Sequence, residues 1–342
     1  MIRAGMVVAA LLSSAAYSQS IGPGGIVYAN PSMSAPITAA MGLLPASGGE
    51  VFLPCGTYVD NVTIARSSIK LVGASMGCVV IQPSILSQSV ITIDASGGTV
   101  IYDDLSDFTL SCPSSCLSSA LYITGTNIND YHRFQRIQVN PNFQIGINVD
   151  GRLIYGAFSD VYVVGTTGNA CQFDSSVSGG FIFHDSFRNV ACNGSTGGWG
   201  LWVKSPSTQP FHTLEFDHIN AQGNTLGGIY VNGVEEGGIA NSYVEGNGPS
   251  YGIKIEGTYA MAFNITGNLV WSSGVAVYNH ATLSQGIYSG NRANGSAGGV
   301  DFDINTPHPQ SNIVLGPNYS TTFTLAGHVV VVPVATGTIT LH

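Results

Sequence analysis

The stretch FRNVACNGSTGGWGLWVK (187–204) holds two strand signatures separated by a Gly/Ser/Thr turn. In its last part, GLWVK (200–204), Leu201 and Val203 alternate with Trp202 and Lys204, the pattern of a half-buried strand. One face is apolar. The other presents a tryptophan and one of only three lysines in the chain.

Both signatures recur. GINVD (146–150), ACQFD (170–174), GLWVK, GIYVN (228–232), GIKIE (252–256), GVAVY (274–278) and GVDFD (299–303) start 24, 30, 28, 24, 22 and 25 residues apart. A second set keeps the same beat: FQRIQV (134–139), FSDVYV (158–163), FRNVAC, FDHINA (216–221), IANSYV (239–244) and ITGNLV (265–270), with YSGNRA (288–293) next. A period of 20–30 residues built from short strands and Gly/Asn turns indicates a solenoid. No apolar 3.6-residue periodicity fills the units, and a propeller blade needs roughly 40–45 residues. The expected fold is an all-β, right-handed parallel β-helix of about ten coils, and equivalent residues of neighbouring coils stack at about 4.8 Å. The second register gives one such ladder: Asp107, Arg136, Asp160, Asn189, His218, Asn241, Asn268 and Asn291. These residue types suit a left-handed bend, and the ladder reads as structural.

Composition agrees. Only 8% of the 342 residues are charged and 44 are glycine, which suits short strands and tight turns. A net charge of −9 argues against nucleic acid as a partner. The first residues, MIRAGMVVAALLSSAAYS (1–18), have the positive start, apolar stretch and small-residue end of a secretory signal. No later run is long enough to insert in a membrane. The chain is therefore expected to be exported, outside the cell or in the periplasm, with residues 19–320 forming one solenoid domain. Export makes disulfides available to the six cysteines, which allow 15 pairings. Proximity favours Cys55–Cys78, Cys112–Cys116 and Cys171–Cys192; metal binding is the competing reading, without a paired CxxC or a His cluster to support it.

Ahead of the repeats, PITAAMGLLPASGGEVFLPCGTY (36–58) reads as a short amphipathic helix followed by P-x-x-GG, a strand and P-x-GTY. It resembles the N-terminal cap and first turn of the pectate-lyase-like right-handed β-helix superfamily. The resemblance implies a helix capping the N-terminal end, and substrate lying along one outward sheet face. That superfamily includes polysaccharide lyases, glycoside hydrolases, epimerases and non-catalytic surface proteins. GGWGLWVK (197–204) further resembles a segment of the polygalacturonase-like hydrolases. Trp199 stands where that family has its histidine, Gly168 and Asn169 where it has an aspartate pair, and its Asn-Thr-Asp motif is absent. Its catalytic set does not carry over. The final TTFTLAGHVVVVPVATGTITLH (321–342) breaks the period and is expected to cap the C-terminal end.

By the same resemblance, the G-apolar-x-apolar strands line the outward face. One ladder then runs Asn148, Gln172, Trp202, Tyr230, Lys254, Ala276, Asp301, and another Asp150, Asp174, Lys204, Asn232, Glu256, Tyr278, Asp303. Aromatic faces pack on sugar rings, and carboxylates and lysines do acid–base work on them. The leading expectation is a polysaccharide-cleaving enzyme. As a glycosidase it would use Asp150 and Asp174, with Lys204 beside them; retaining enzymes need carboxyl groups roughly 5–5.5 Å apart. As a uronate lyase it would use Lys204, Lys254 or Arg152 as base or carboxylate clamp, with calcium on Asp150, Asp174, Glu256, Asp301 and Asp303. No recognised calcium loop is present, and outside the lyase case no cofactor is expected. Arg152, Trp202, Tyr230, Lys254, Glu256 and Tyr278 are the substrate-binding candidates. A second cluster comprises His184, Asp185, His212, Glu215, Asp217, Glu235 and Glu236, with His212 and Glu235 as the pair to test. The competing class is a non-catalytic carbohydrate-binding or cell-surface protein on the same scaffold. Asn61, Asn193, Asn264, Asn294 and Asn318 head N-x-S/T sequons.

Overall fold

The computed structural model describes residues 20–21, 25–175, 180–206, 209–272, 274–295, 300–320, 322–331 and 338–341. The leader at 1–18 lies outside them. The chain winds as a right-handed parallel β-solenoid of about 11 turns with 61% strand. Apart from Ser20–Ile21 on Val27–Tyr28, every pairing between the described strands is parallel.

A middle coil shows the plan. Phe143–Gly151 lies on the outward face carrying the repeated glycine signature, Leu153–Ile154 forms a short second face, and Ala157–Val164 bends across the third and fourth. The glycines of the signature are steric. A Cβ on Gly228 would lie 2.3 Å from Val244 Cγ1 and 2.7 Å from the Gly252 carbonyl oxygen. At Gly228 the neighbouring coils leave no room for a side chain. Alanine fills the same column at Ala170 and Ala276.

Inside, the aromatic beat becomes a stack. Phe134, Phe158, Phe187 and Phe216 are in register, with centroids 4.5, 5.0 and 4.7 Å apart. All four are 2% exposed or less. Each such ring stabilises the fold by roughly 1.5–3 kcal/mol relative to exposure.

Two ladders of non-glycine residues turn the coil in the left-handed conformation. One is the expected ladder, from Asp107 to Asn241, at φ 50° to 66°. Its last two rungs are corrected: Gly267 and Gly290 take the bend, both at φ 67°, and Asn268 and Asn291 sit one residue later. Glycine adopts that conformation without a Cβ penalty. The displaced asparagines point inward, are at most 1% exposed, and pair coil to coil. Asn291 Oδ1 accepts from the Asn268 backbone N–H at 3.0 Å, and Asn318 Oδ1 from that of Asn291 at 3.0 Å. The other ladder was not anticipated. Tyr102, Tyr131, Tyr155 and His184, at φ 57° to 62°, stack their rings at 5.0, 4.8 and 5.3 Å. A left-handed residue costs roughly 1–2 kcal/mol; a ring pair returns about 0.5–1.5 kcal/mol, so the stack largely offsets the strain. The rings stack on one another while remaining exposed at the surface, Tyr102 by 56%.

The N-terminal end is closed by a helix, as expected. Helix Pro36–Gly42 buries Pro36, Ile37, Ala40 and Met41 against the first coil. Asp60 fixes it: its Oδ2 accepts from the Ile37 and Thr38 backbone N–H groups at 2.9 and 2.8 Å, a carboxylate at the positive end of the helix. At the other end Phe302, Phe323 and Ile339 fall in register, 21 and 16 residues apart, so the irregular tail still adds parallel strands. The three disulfides are Cys55–Cys78, Cys112–Cys116 and Cys171–Cys192, as proximity suggested, and no cysteine is free.

Candidate functional site

The outward face carries two continuous ladders, and strand pairing fixes their rungs. The first runs Thr63, Thr92, Tyr122, Asn148, Gln172, Trp202, Tyr230, Lys254, Tyr278, Asp303. Two residues further along each strand, the second runs Asp94, Thr124, Asp150, Asp174, Lys204, Asn232, Glu256. Up to Glu256 these are the expected rungs. Beyond it the expectation slips by two residues. Tyr278 pairs with Lys254, not Glu256; Ala276 and Asp301 are buried in the interior column. The cause is Gly274, which mimics the signature glycine, while Ala276 occupies that place.

Asp150 and Asp174 are adjacent rungs, with Lys204 next. Burial raises the Asp174 carboxyl above its ordinary value; Lys204 pulls it back and the Asp150 charge pushes it up again. The Tyr122 hydroxyl hydrogen-bonds Thr124 and Asp150, and burial with the Asp150 charge holds its proton on. Asp150 is thus oriented from the preceding coil, and burial favours the protonated form of Asp174.

Further along, the side chains satisfy one another. Trp202 stacks on Tyr230 at 4.1 Å. Tyr230 donates to Glu256 at 2.6 Å, and Lys254 pairs with Glu256 at 2.6 Å. Burial opposes ionisation of Glu256, but Lys254 and Tyr230 together outweigh it and its carboxyl is lowered. Burial and the bond to Glu256 push Tyr230 up to about 12. Lys254 Nζ stands 5.6, 5.1 and 5.8 Å from the rings of Tyr230, Tyr251 and Tyr278. His280 stacks on Tyr278 and pairs with Asp303 at 3.0 Å.

In the other direction lies a feature the sequence reading missed. The face becomes the floor of a groove of about 560 Å³ running from Thr63 to Asn148. Its wall is the loop 83–90, laced down by Asn61. Asn61 Nδ2 donates to the carbonyls of Ile85, Gln88 and Ser89 at 3.3, 3.3 and 2.9 Å, and its Oδ1 accepts from the Ser84 hydroxyl and the Ile85 N–H at 2.6 and 2.7 Å. The Cys112–Cys116 turn of the next coil continues this wall on the same side, and the Leu117 N–H to Leu86 carbonyl bond at 3.0 Å ties the two together. Asp150 follows Asn148 by two residues, so the carboxylate pair stands at the groove's end. The signal available in sequence was the alternation of VTI, ITID and LYIT, which lacks the glycine of the later coils.

The remaining candidates disperse. Arg152 sits at the corner past Gly151 and pairs with Asp130 at 3.4 Å, off the face. His212 and Glu235 are paired rungs of the second face, 3.3 Å apart. His184 belongs to the ring stack, and Asp185 is buried behind it, accepting from the Gly156 N–H. Burial raises the Asp185 carboxyl well above its ordinary value. Glu215 and Asp217 lie on the third face, where Asp217 contacts His218 and Asn241. The five acids considered for calcium do not converge: Glu256 holds Lys254, Asp303 holds His280, and Asp301 accepts from Ser320. Among the described residues no group of three or more His, Cys, Asp or Glu is placed to share a metal ion.

No protein-family model and no curated protein matches the chain. Solved structures do. The A-module of a mannuronan C-5 epimerase from Azotobacter vinelandii is similar at TM-score 0.60 and 18% identity, covering 89% of this chain and 94% of that one. The Dettilon tailspike protein is similar at TM-score 0.63 and 12% identity, over 90% of this chain and 68% of that one. The catalytic unit of an α-1,3-glucanase from Streptomyces thermodiastaticus is similar at TM-score 0.51 and 13% identity, over 95% and 69%. At these identities the likeness is one of architecture: the chain has the right-handed β-helix fold of pectate-lyase-like proteins.

Proposed function

We propose that the chain is an exported protein that holds a polysaccharide along the outward face and cleaves it by hydrolysis at Asp150 and Asp174. The observation that carries this reading is the carboxylate pair at the end of a built groove, with the two acids in unequal surroundings. Asp174, raised by burial and by its neighbour's charge, is suited to protonate the leaving glycosidic oxygen. Asp150, held by Tyr122, is placed to act as the nucleophile from the adjacent rung. A rung spacing of about 4.8 Å matches the close separation of retaining enzymes. Lys204 then offsets the charge left on Asp174. Two of the similar structures are, by name, enzymes of polysaccharides, mannuronan and α-1,3-glucan. Three disulfides suit an oxidising compartment.

The test is turnover of neutral and acidic polysaccharides by the purified protein, followed by reducing ends and by ultraviolet absorbance of unsaturated uronates. New reducing ends without absorbance are expected. Both signals together would establish a lyase and overturn the hydrolytic reading. Retention on immobilised glycan without either signal would establish the non-catalytic binding protein instead.

A further inference from the structure

We infer that the groove from Thr63 to Asn148 binds a neutral, hydroxyl-rich stretch of glycan and discriminates against polyuronates. The inference rests on the reading that this face carries glycan, and adds the class of sugar.

The first argument is charge. Nearly every residue lining the groove bears a hydroxyl or a carboxamide. None is Lys or Arg. The one charged lining residue is Asp94, whose Oδ1 accepts from the Ser96 N–H at 2.8 Å, and Asp150 stands at the groove's end. A chain with one carboxylate per sugar would meet two fixed negative charges here and no cation. Like charges held close repel, the more so where protein displaces water. The three lysines cannot compensate: Lys70 sits on another face, between Glu50 and Asp104, Lys204 and Lys254 lie two and four rungs beyond Asn148, and Lys254 is taken by Glu256.

The second argument is unmet hydrogen bonding. Asn148 Oδ1 and Ser118 Oγ are buried atoms without a partner, and both residues line the groove. A buried polar atom left unpaired loses its hydrogen bond to water without replacement, so a partner that supplies one is favoured. Both can accept from hydroxyl groups, which a neutral sugar supplies around its ring. The third argument is shape. A volume of about 560 Å³ lies within the usual range for ligand sites. Tyr122 offers an aromatic surface on the floor, and exposed Ile85, Leu86 and Leu117 border the wall. The wall is already held by Asn61 and by the Cys112–Cys116 bridge, so little ordering opposes binding.

The experiment is calorimetric titration of the full-length mature chain carrying Asp174→Asn, which prevents cleavage. The probes are neutral hexasaccharides (β-1,4-, β-1,3- and α-1,3-glucans) and hexamers of mannuronate and galacturonate. The expected result is that at least one neutral hexamer binds tenfold or more tighter than either hexauronate. Two substitutions then locate the binding. Thr92→Tyr fills the floor from a solvent-facing rung and should weaken the neutral hexamer at least tenfold. Thr92→Lys supplies a cation and should improve hexauronate binding at least fivefold. Circular dichroism and thermal melting report whether each variant is folded. Tighter binding of a hexauronate, no binding of any neutral hexamer, or neutral binding indifferent to both Thr92 variants would overturn the inference. The unsubstituted chain's reducing-end assay is separate. Cleavage with the groove indifferent defeats this inference alone; groove binding without cleavage defeats the hydrolytic reading alone.

Discussion

The outward face has two halves made from the same repeat. From Trp202 to Asp303 its polar groups are engaged with one another: Tyr230 and Lys254 on Glu256, His280 on Asp303, Trp202 on Tyr230. From Thr63 to Asn148 the rungs are Thr, Thr, Tyr and Asn, a wall rises beside them, and two buried polar atoms await partners. Chemistry-bearing residue types mark the first half; accessible, unsatisfied geometry marks the second. A ladder rich in lysine, glutamate and tyrosine is easily read as a binding strip, yet its members spend their hydrogen bonds internally. The Asp150–Asp174 pair stands at the border.

The interior follows the same division. In the later coils, alongside Asp301 with Ser320 and Thr322, interior hydrogen bonds run between neutral asparagines, Asn224 to Asn247 and Asn268 through Asn318. In the earlier coils they involve titratable groups. Asp103 accepts from the Ile69 N–H at 2.8 Å, and His132 meets Asn129 Oδ1 at 2.6 Å.

The most severe way to break the comparison is at the border. Asp174→Asn should lower kcat by roughly 10² to 10⁴ while leaving groove affinity unchanged. Asp150→Asn should match it, and a variant pair that keeps full turnover would remove the border from the chemistry. Second in size is Asn61→Ala, which deletes five hydrogen bonds holding the loop 83–90. It should cost about 1–3 kcal/mol in chemical denaturation and weaken oligosaccharide binding about tenfold. Unchanged affinity would mean the wall is dispensable.

A third test uses pH. Burial raises the Asp103 carboxyl to about 7 and pushes the His132 imidazole down to about 4. The folded chain holds the Asp103 proton more tightly than the unfolded chain, so that contribution is whole below about pH 4 and fades towards 7. It disfavours the His132 proton, so that contribution is whole above about pH 6.5 and fades towards 4. Relative to the unsubstituted chain, Asp103→Asn should therefore gain melting temperature, by a few degrees, as pH rises from 4 to 7. His132→Gln should gain it as pH falls from 6.5 to 4. Parallel melting profiles for both would show that the two groups are not linked to folding. The smallest effect belongs to the self-satisfied half. A double-mutant cycle on Lys254→Met and Glu256→Gln should give a coupling of about 0.2–1 kcal/mol, as for a partly exposed pair. Hexasaccharide affinity should not move.

What was legible in the sequence was whatever the backbone imposes locally. Gly228 and Gly252 recur because a side chain would strike the next coil, and the phenylalanines at 134, 158, 187 and 216 recur because they share one interior column. The slips at Tyr278, Asn268 and Asn291 came where a glycine stood one or two residues from the place it imitates. The groove was illegible for another reason. Its wall depends on where Asn61 meets a loop more than 20 residues away, and on Leu117 meeting Leu86. Whether Lys254 is available depends on Glu256 choosing it over solvent, which residue type alone does not express.

The helix Pro36–Gly42, latched by Asp60, has a consequence for assembly. A parallel solenoid has the same pitch and polarity at both ends, so the exposed strands at one chain's start complement those at another's finish. Such a contact is head-to-tail and does not close, and its natural product is a filament. The helix covers that starting edge with an element that has no strand hydrogen bonds to offer. Asp60 thus latches the element that stands over that edge, beside the short strand Ser20–Ile21.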